Sequence, residues 1–512
     1  MPSPALGVHS LPFGFHGAVI FLRNSVLLTS LSLILVTLGV IGYRLLFHPL
    51  ARVPGPRLAA ISNVWYACQV RNGRMLRLGK SLHKRYGPAV RVGPNEVWFD
   101  SVDAFKHIYL STALQRPDIT YTPLPTFTSP DTLDLLSERN TQRYRLQRRL
   151  VGPLYQTSYL KRHEPALDAV LGRVIATLRS LDGAEIDLKE WMHIIAVESL
   201  SAVVLTWSPN YLRDKTDHSS SSHGYMGWRR KSIFGLFPLA VKLELLSKTF
   251  GRTFANLWRV TYKTPKNFKP FFTGVYRQVS RRVTSALAGK PISKNDRKDD
   301  FLTDLIQLHK DKPDFSETYL RRMAITNFGA GHETMCSALT SIMAMIGSHP
   351  EVQRRAANEV RSATEDPKVY DHAVRLSYTQ AAIKEAQRLY PVLGMALPRT
   401  VPPEGFAVGG QMFPPGTTVG CNPVSLHRNT AIFGEDAEGY NPERWLDADR
   451  NLKSMERFNL TWGGGGRMCP GRHLAELVVY KTIPALLEHF DVEVVMPRRK
   501  KYTITLWPCL RV

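Results

Sequence analysis

Trp462-Gly463-Gly464-Gly465-Gly466-Arg467-Met468-Cys469-Pro470-Gly471 is the stretch on which the reading of this 512-residue chain turns. It fits the spacing aromatic-x-x-Gly-x-Arg-x-Cys-x-Gly. A cysteine on a loop whose glycines admit backbone N–H groups to its sulfur can ligate ferric iron as a thiolate, and those hydrogen bonds tune its electron donation. Arg467 suits a porphyrin carboxylate, and Trp462 can cover the proximal ring face. The bland alternatives are a flexible glycine loop beside a buried thiol, or a phosphate cradle. A phosphate loop needs Lys-Ser or Lys-Thr after its glycines, and Arg-Met stands there instead. Five fixed positions, each filled by a residue type that is a minor fraction of an ordinary chain, make coincidence remote.

The other cysteines, Cys68, Cys336, Cys421 and Cys509, are scattered and form no CxxC pair. That excludes a disulfide framework and a zinc-ribbon type site, and it favours a reducing compartment. Apolar residues make up 44% of the chain and charged residues 21%, as in a globular protein with a self-sufficient core. A net charge of +24 suits an anionic lipid or an acidic protein surface. No nucleic-acid-binding motif accompanies it, so nucleic acid is not expected as a partner.

Upstream, residues 24–43 carry no charge between Arg23 and Arg44 and are rich in Leu, Ile and Val. About 20 such residues span the ~30 Å hydrocarbon core, longer than the apolar part of a signal peptide. Arg44, Arg52 and Arg57 follow the segment and only Arg23 precedes it, so the positive-inside rule puts the N-terminus outside and the bulk of the chain in the cytosol. The expected organisation is a lumenal N-terminus (1–23), a transmembrane helix (24–43), a Pro-rich tether (44–64) and one large domain (65–512). The sequon Asn459-Leu460-Thr461 would then never meet the glycosylation machinery.

Within the domain, Val90-Arg91-Val92, the turn Gly93-Pro94-Asn95 and Val97-Trp98-Phe99 predict an early hairpin. Short β-like segments recur near 407–412, 417–421 and 502–506. Helical patterns dominate elsewhere, and the longest runs from about Ser316 to Gly347 with an apolar content that predicts a central, buried position. Ser219 to Ser222, between His218 and His223, reads as a mobile loop.

The Cys469 segment resembles the haem signature of the cytochrome P450 family, which has Phe where this chain has Trp462. The resemblance implies that family's fold, mainly α with small β-sheets, and runs from the Pro-rich segment to the C-terminus. Glu385-Ala386-Gln387-Arg388 is by itself a common helical ion pair. Tyr440 to Trp445 is similar to the family segment whose arginine, here Arg444, locks that pair, making Glu385, Arg388 and Arg444 a structural triad. Ala330-Gly331-His332-Glu333-Thr334 resembles the family's oxygen-activation sequence. Thr in a helix often only donates to the carbonyl one turn back, but with Gly331 opening room, Glu333 and Thr334 could hold water and relay protons.

By the same resemblance, Arg399 and Arg148 pair with haem propionates, and Tyr144 stands at the aromatic position beside them. Arg139, Arg143, Arg145, Arg148 and Arg149 form a basic helix face implied to dock a reductase. The resemblance further implies haem b, O2, electrons from NADPH through cytochrome P450 reductase with cytochrome b5 as a second donor, and an endoplasmic reticulum membrane location. Pocket walls are implied at 112–127, 234–246, Phe328, Ala330, 393–397 and Trp507, mostly apolar and suited to a hydrophobic small molecule. Phe47-His48-Pro49-Leu50 and Gly331 to Met335 are similar to fungal members near the pisatin demethylase group, which implies oxygen insertion in secondary metabolism or detoxification. Desaturation, ring coupling or rearrangement on the same haem, or a haem sensor without turnover, are the alternatives.

Overall fold

The computed structural model describes residues 13–110, 134–135, 138, 140–289 and 299–495. The first helix, α1 (Phe13–Gly42), continues through a π-helical turn at Tyr43–Phe47. From Ile20 to Phe47 it is long and apolar enough to cross a membrane, and none of that stretch is buried against the rest of the protein. Leu27, Leu31, Leu35 and Leu38 stand exposed on it, which is consistent with a membrane anchor.

The Pro-rich segment behind it is folded into the domain. Leu50 and Val53 sit in a core cluster with Val97, Phe99 and Phe105. Arg91 donates to the Arg44 carbonyl at 2.8 Å, and its own N–H reaches Pro54 O at 2.8 Å. A Cβ on Gly55 would stand 2.3 Å from Arg91 O, so only glycine permits that approach. A short helix, α2 (Arg57–Ile61), completes the segment and buries Ala59 and Ala60.

The hairpin forms as β1 (Ala89–Gly93) and β2 (Glu96–Phe99), paired antiparallel with Val90 opposite Trp98. Next come α3 (Thr141–Val151), α4 (Leu188–Leu205) and α5 (Ser220–Gly235). The serine-rich stretch is not a loop. His218 and Ser219 adopt left-handed backbone, with φ of 51° and 61°, and α5 begins directly after them with Ser220 and Ser221 buried. Asp217 accepts from Ser221 N at 2.8 Å and starts that helix, a capping role its polar neighbours disguised.

The central helix α6 (Glu317–Gly347) has Ser316 as its N-cap, accepting from Tyr319 N at 3.3 Å. At 1.5 Å per residue its 31 residues cover about 46 Å. It packs closely on α4: a Cβ on Gly331 would meet Leu200 Cδ1 at 2.9 Å. Gly331 therefore serves helix–helix contact, and the room expected beside it is filled by leucine. Then follow α7 (Ser377–Leu389), β3 (Arg399–Thr400), β4 (Phe406–Val408), β5 (Gln411–Phe413), β6 (Thr418–Cys421) and α8 (Arg472–His489). The segment near 407–412 is a hairpin of two strands rather than one: Gly409 and Gly410 have φ of 57° and 74°, the conformation of a tight two-residue turn. The larger sheet has order β1-β2-β6-β3, with β2 and β6 parallel. Further helices pack around this frame, and the segment expected near 502–506 lies outside the described residues.

Candidate active site

The loop before α8 is closed by Cys469 N donating to Trp462 O at 2.8 Å and by Met468 N donating to Gly465 O at 3.2 Å. Gly463 and Gly465 have φ of 83° and 65°, where a side chain would be strained. A Cβ on Gly464 would meet Tyr109 Cγ at 2.9 Å and one on Gly465 would meet Tyr109 O at 2.5 Å. These glycines thus shape the turn and let it lie against Tyr109. The backbone N–H that reaches the Cys469 sulfur is that of Gly471. Burial pushes the Cys469 thiol up, and the Gly471 N–H and the Arg148 charge pull in the opposite direction. Cys469 is an exposed residue on this loop, and Arg148 and Tyr155 line the same cleft.

Three guanidinium groups gather on this loop. Arg148 donates to Met468 O at 2.8 Å, and Arg399 donates to Gly464 O at 2.9 Å and to Pro398 O at 2.9 Å. Arg467 donates to Glu138 O at 3.1 Å and lies 3.6 Å over the Tyr144 ring. The Tyr144 hydroxyl donates to Gly466 O at 3.1 Å, so it steadies the loop where a propionate contact was expected. Trp462 is half-buried at the loop's start. The basic face of α3 is less bare than its sequence suggested, since Glu138 pairs with Arg143. Arg145 and Arg149 are exposed there, and Arg139 lies outside the described residues.

From Met335 to Gly347 α6 is buried, and ahead of that stretch it opens. Thr326 and Thr334 are partly accessible and Ala330 is exposed, at i, i+4 and i+8. An alanine exposed there, in the middle of a central helix, borders open space. Thr334 Oγ1 donates to Ala330 O at 2.7 Å and lies 3.2 Å from Gly331 O. Glu333 points elsewhere, toward α4 and α5, because consecutive helix residues diverge by about 100°. Both of its oxygens are buried without a hydrogen-bond partner among the described residues, and burial raises its pKa. One cysteine sulfur with the Arg148, Arg399 and Arg467 cations gathered about its loop fits an iron porphyrin bound through a thiolate and two carboxylates.

Behind the loop, Glu385, Arg388 and Arg444 are fully buried together. Arg388 holds Glu385 through two bonds at 2.8 and 2.7 Å, and Arg444 Nε adds a third at 3.1 Å. Trp445 Nε1 and Asn441 N also donate to Glu385, at 2.9 and 3.1 Å. His427 joins this cluster to the cysteine loop and escaped sequence reasoning, since no local pattern marks it. Its Nδ1 donates to Arg388 O at 2.9 Å, and its Nε2 accepts from Leu460 N at 2.7 Å.

Burial, reinforced by the Arg388 and Arg428 charges, pushes the His427 pKa from 6.5 down to about 3. Below 6.5 the unfolded imidazole takes up a proton that the folded one refuses, so stability falls as pH drops toward 3 by about 1.4 kcal/mol per pH unit. Urea unfolding at pH 7.5 and pH 5 should therefore show a steeper loss for wild type than for His427→Gln; equal slopes would remove this assignment.

The pocket walls are only partly where resemblance put them. Phe328 is buried on α6 and Ala330 is exposed on it. In the 234–246 segment Phe234 is buried with Tyr225 and Trp258, whereas Leu239, Leu245 and Leu246 face outward, the last 84% exposed. Those leucines cannot line an internal pocket. Residues 112–127 and Trp507 lie outside the described residues.

The sequence model described as Cytochrome P450 matches residues 54–508. The chain is 58% identical over 491 residues to the cytochrome P450 monooxygenase sdnT of Sordaria araneosa, with 88% of each chain covered. It is 29% identical to a pisatin demethylase of Fusarium vanettenii and 29% identical to the cytochrome P450 monooxygenase hepC of Aspergillus oryzae, with 90% of each chain covered in both cases. A match of this extent, over the cysteine loop, the buried triad and the central helix alike, places the chain in the cytochrome P450 family as a haem-dependent monooxygenase.

Proposed function

We propose that this monooxygenase inserts one atom of O2 into a bulky hydrophobic small molecule of fungal secondary metabolism, drawing electrons from NADPH through a membrane-bound reductase. The single observation that carries the reading is the Cys469 loop itself, closed by its own backbone bonds with the Arg148 and Arg399 guanidinium groups on its carbonyls. The similarity to sdnT and hepC, both named as monooxygenases, supports it. When bound, the thiolate-ligated haem supplies dioxygen activation, one oxygen going to substrate and the other leaving as water. Cys469 would hold the iron through its sulfur, and Arg148, Arg399 and Arg467, which now donate to the carbonyls of Met468, Gly464 and Glu138, would pair with the cofactor carboxylates. The Thr334 hydroxyl, with its proton committed to Ala330 O, keeps its lone pairs free to accept from a water beside it. Glu333, whose pKa burial raises, is a proton store one position away.

Co-expression with a reductase, metabolite profiling of producing and deleted strains, and labelled dioxygen test the proposal. Label in the product supports insertion; an unlabelled product, with hydrolytic exchange controlled, overturns it in favour of desaturation, coupling or rearrangement. Thr334→Ala should keep its haem and send most reducing equivalents to peroxide, a several-fold fall in product per NADPH. Unchanged coupling would refute the role given to that hydroxyl.

The exposed helix α1 is read as a single anchor in the endoplasmic reticulum membrane with the domain cytosolic. Removal of residues 1–43 should release the domain with its haem, because Arg44, which donates to Ile61 O and accepts from Arg91, is retained. The measurement is partition between supernatant and membrane pellet. Firm residual pelleting would instead point to a second lipid contact, for which Leu239, Leu245 and Leu246 are the exposed candidates.

A further inference from the structure

Between α4, α5 and α6 lies a group of side chains that the oxygen chemistry leaves unused. His193 and Asp217 are completely or almost completely buried, as is Glu333, and His332 is 5% exposed. His193 Nδ1 stands 3.0 Å from Asp217 Oδ2. On the other side of the same ring, Nε2 stands 3.2 Å from His332 Nδ1, and that nitrogen lies 3.6 Å from Glu333 Oε1. One donor atom from each of His193, His332 and Glu333 falls within 4.8 Å of the others.

A chain of proton carriers does not account for this geometry. It would need continuous hydrogen-bond contact, yet the step from His332 to Glu333 is 3.6 Å and neither Glu333 oxygen meets a donor among the described residues. A buried carboxylate whose oxygens meet no hydrogen-bond donor among the described residues is costly. A metal ion resolves the same distances. Zinc–nitrogen bonds of ~2.0–2.1 Å put two ligand nitrogens ~3.3 Å apart in a tetrahedral site. The observed 3.2 Å between the two imidazoles matches that edge, and the 3.6 Å to the carboxylate needs only a small closure.

The surroundings are those of a ligand set. Asp217 Oδ2 stands 3.0 Å from His193 Nδ1, on the far side of the ring from Nε2, where a carboxylate commonly stands behind a metal-bound histidine. Asp217 is itself held by Ser221 N at 2.8 Å. On α5, a Cβ at residue 224 would meet Glu333 Oε1 at 2.3 Å, so Gly224 is what lets the carboxylate stand where it does. The Phe271 and Phe272 rings lie against His332 and exclude water from that side.

We propose that His193, His332 and Glu333 form a binding site for a zinc-class divalent cation, with Asp217 orienting His193. Two imidazoles and one carboxylate select first-row transition ions over magnesium or calcium, which prefer all-oxygen sites. The three residues leave one tetrahedral position for water. Because Glu333 is also the proposed proton store, metal occupancy withdraws it from proton delivery and slows turnover. That consequence rests on the monooxygenase reading given above; the site does not.

The test is equilibrium dialysis of the full-length, haem-loaded protein against radioactive Zn2+ after chelator treatment. One tight equivalent per haem is expected. His193→Ala and His332→Ala should abolish it, and Asp217→Asn should weaken it ~10–100-fold. Haem content and the carbon monoxide spectrum of each variant report folding; where an alanine variant loses haem, His193→Gln and His332→Gln, which keep shape and hydrogen bonding, replace them. No tight equivalent, or one that survives unweakened in both histidine variants, overturns the site. Tight zinc binding without any effect on reductase-driven NADPH oxidation would leave the site standing and remove Glu333 from proton delivery, so the two readings fail separately.

Discussion

Cys469→Ser is expected to abolish turnover and the thiolate signature of the reduced carbon monoxide complex while leaving the polypeptide folded. The loop does not depend on the sulfur: its closing bond runs from the residue 469 N–H to Trp462 O, which serine retains. Arg148, Arg399 and Arg467 also remain, so carboxylate pairing can still hold a porphyrin at reduced affinity. What is lost is the charge donated to iron. A thiol is readily ionised by a bound cation, whereas a serine hydroxyl is not.

The same argument has a pH corollary. Burial raises the Cys469 pKa in the protein alone, so haem loading expels the thiol proton and tightens as pH rises toward that pKa. The serine variant should show no such dependence. A variant with wild-type spectrum and turnover would refute the axial role outright.

Local chemistry made part of this architecture legible. The cysteine loop, the hairpin over residues 89–99 and the central helix over 317–347 each carry their signal in consecutive residues, and all three form as read. Tertiary contacts decided the rest. Gly331 was read as room for water, but its neighbour is Leu200, 131 positions away in the chain. Ser219 to Ser222 has the composition of a loop, and only the burial of Asp217 against His193 turns it into a helix start. Glu333 and Thr334 were read as one device, although the angle between successive helix residues already separates them. His427 has no local signature at all, and its importance comes from bridging Arg388 O and Leu460 N across the fold. Where function depends on direction, as it does for Glu333, sequence spacing names the residue and the packing of α4 and α5 decides what it faces.

The buried triad should show the second large effect, in assembly of the enzyme. Glu385 accepts from Arg388, Arg444, Trp445 and Asn441 and is entirely inaccessible. Replacing it by glutamine changes little volume but removes the charge that both guanidinium groups answer, and turns an amide NH2 toward donors. Breaking a buried pair by removing one partner costs ~3–5 kcal/mol, a large part of the stability of a typical domain. The damage has a direct path to the cofactor. Arg388 also holds the carbonyls of His427 at 2.5 Å, Ala437 at 2.6 Å and Gly439 at 3.0 Å, and His427 in turn holds Leu460 at the foot of the cysteine loop. Glu385→Gln should therefore yield protein with little bound haem, and Arg388→Lys should behave similarly, because a point ammonium cannot satisfy two carboxylate oxygens and three carbonyls at once. Arg444→Lys should be milder, since Arg388 still grips Glu385 with both of its bonds. The ratio of haem absorbance to protein, with urea midpoints of whatever holoprotein forms, measures the order. Full haem content and an unshifted midpoint in Glu385→Gln would mean that the loop is held without the triad, by its glycines, Tyr109 and the donors Tyr144, Arg148 and Arg399.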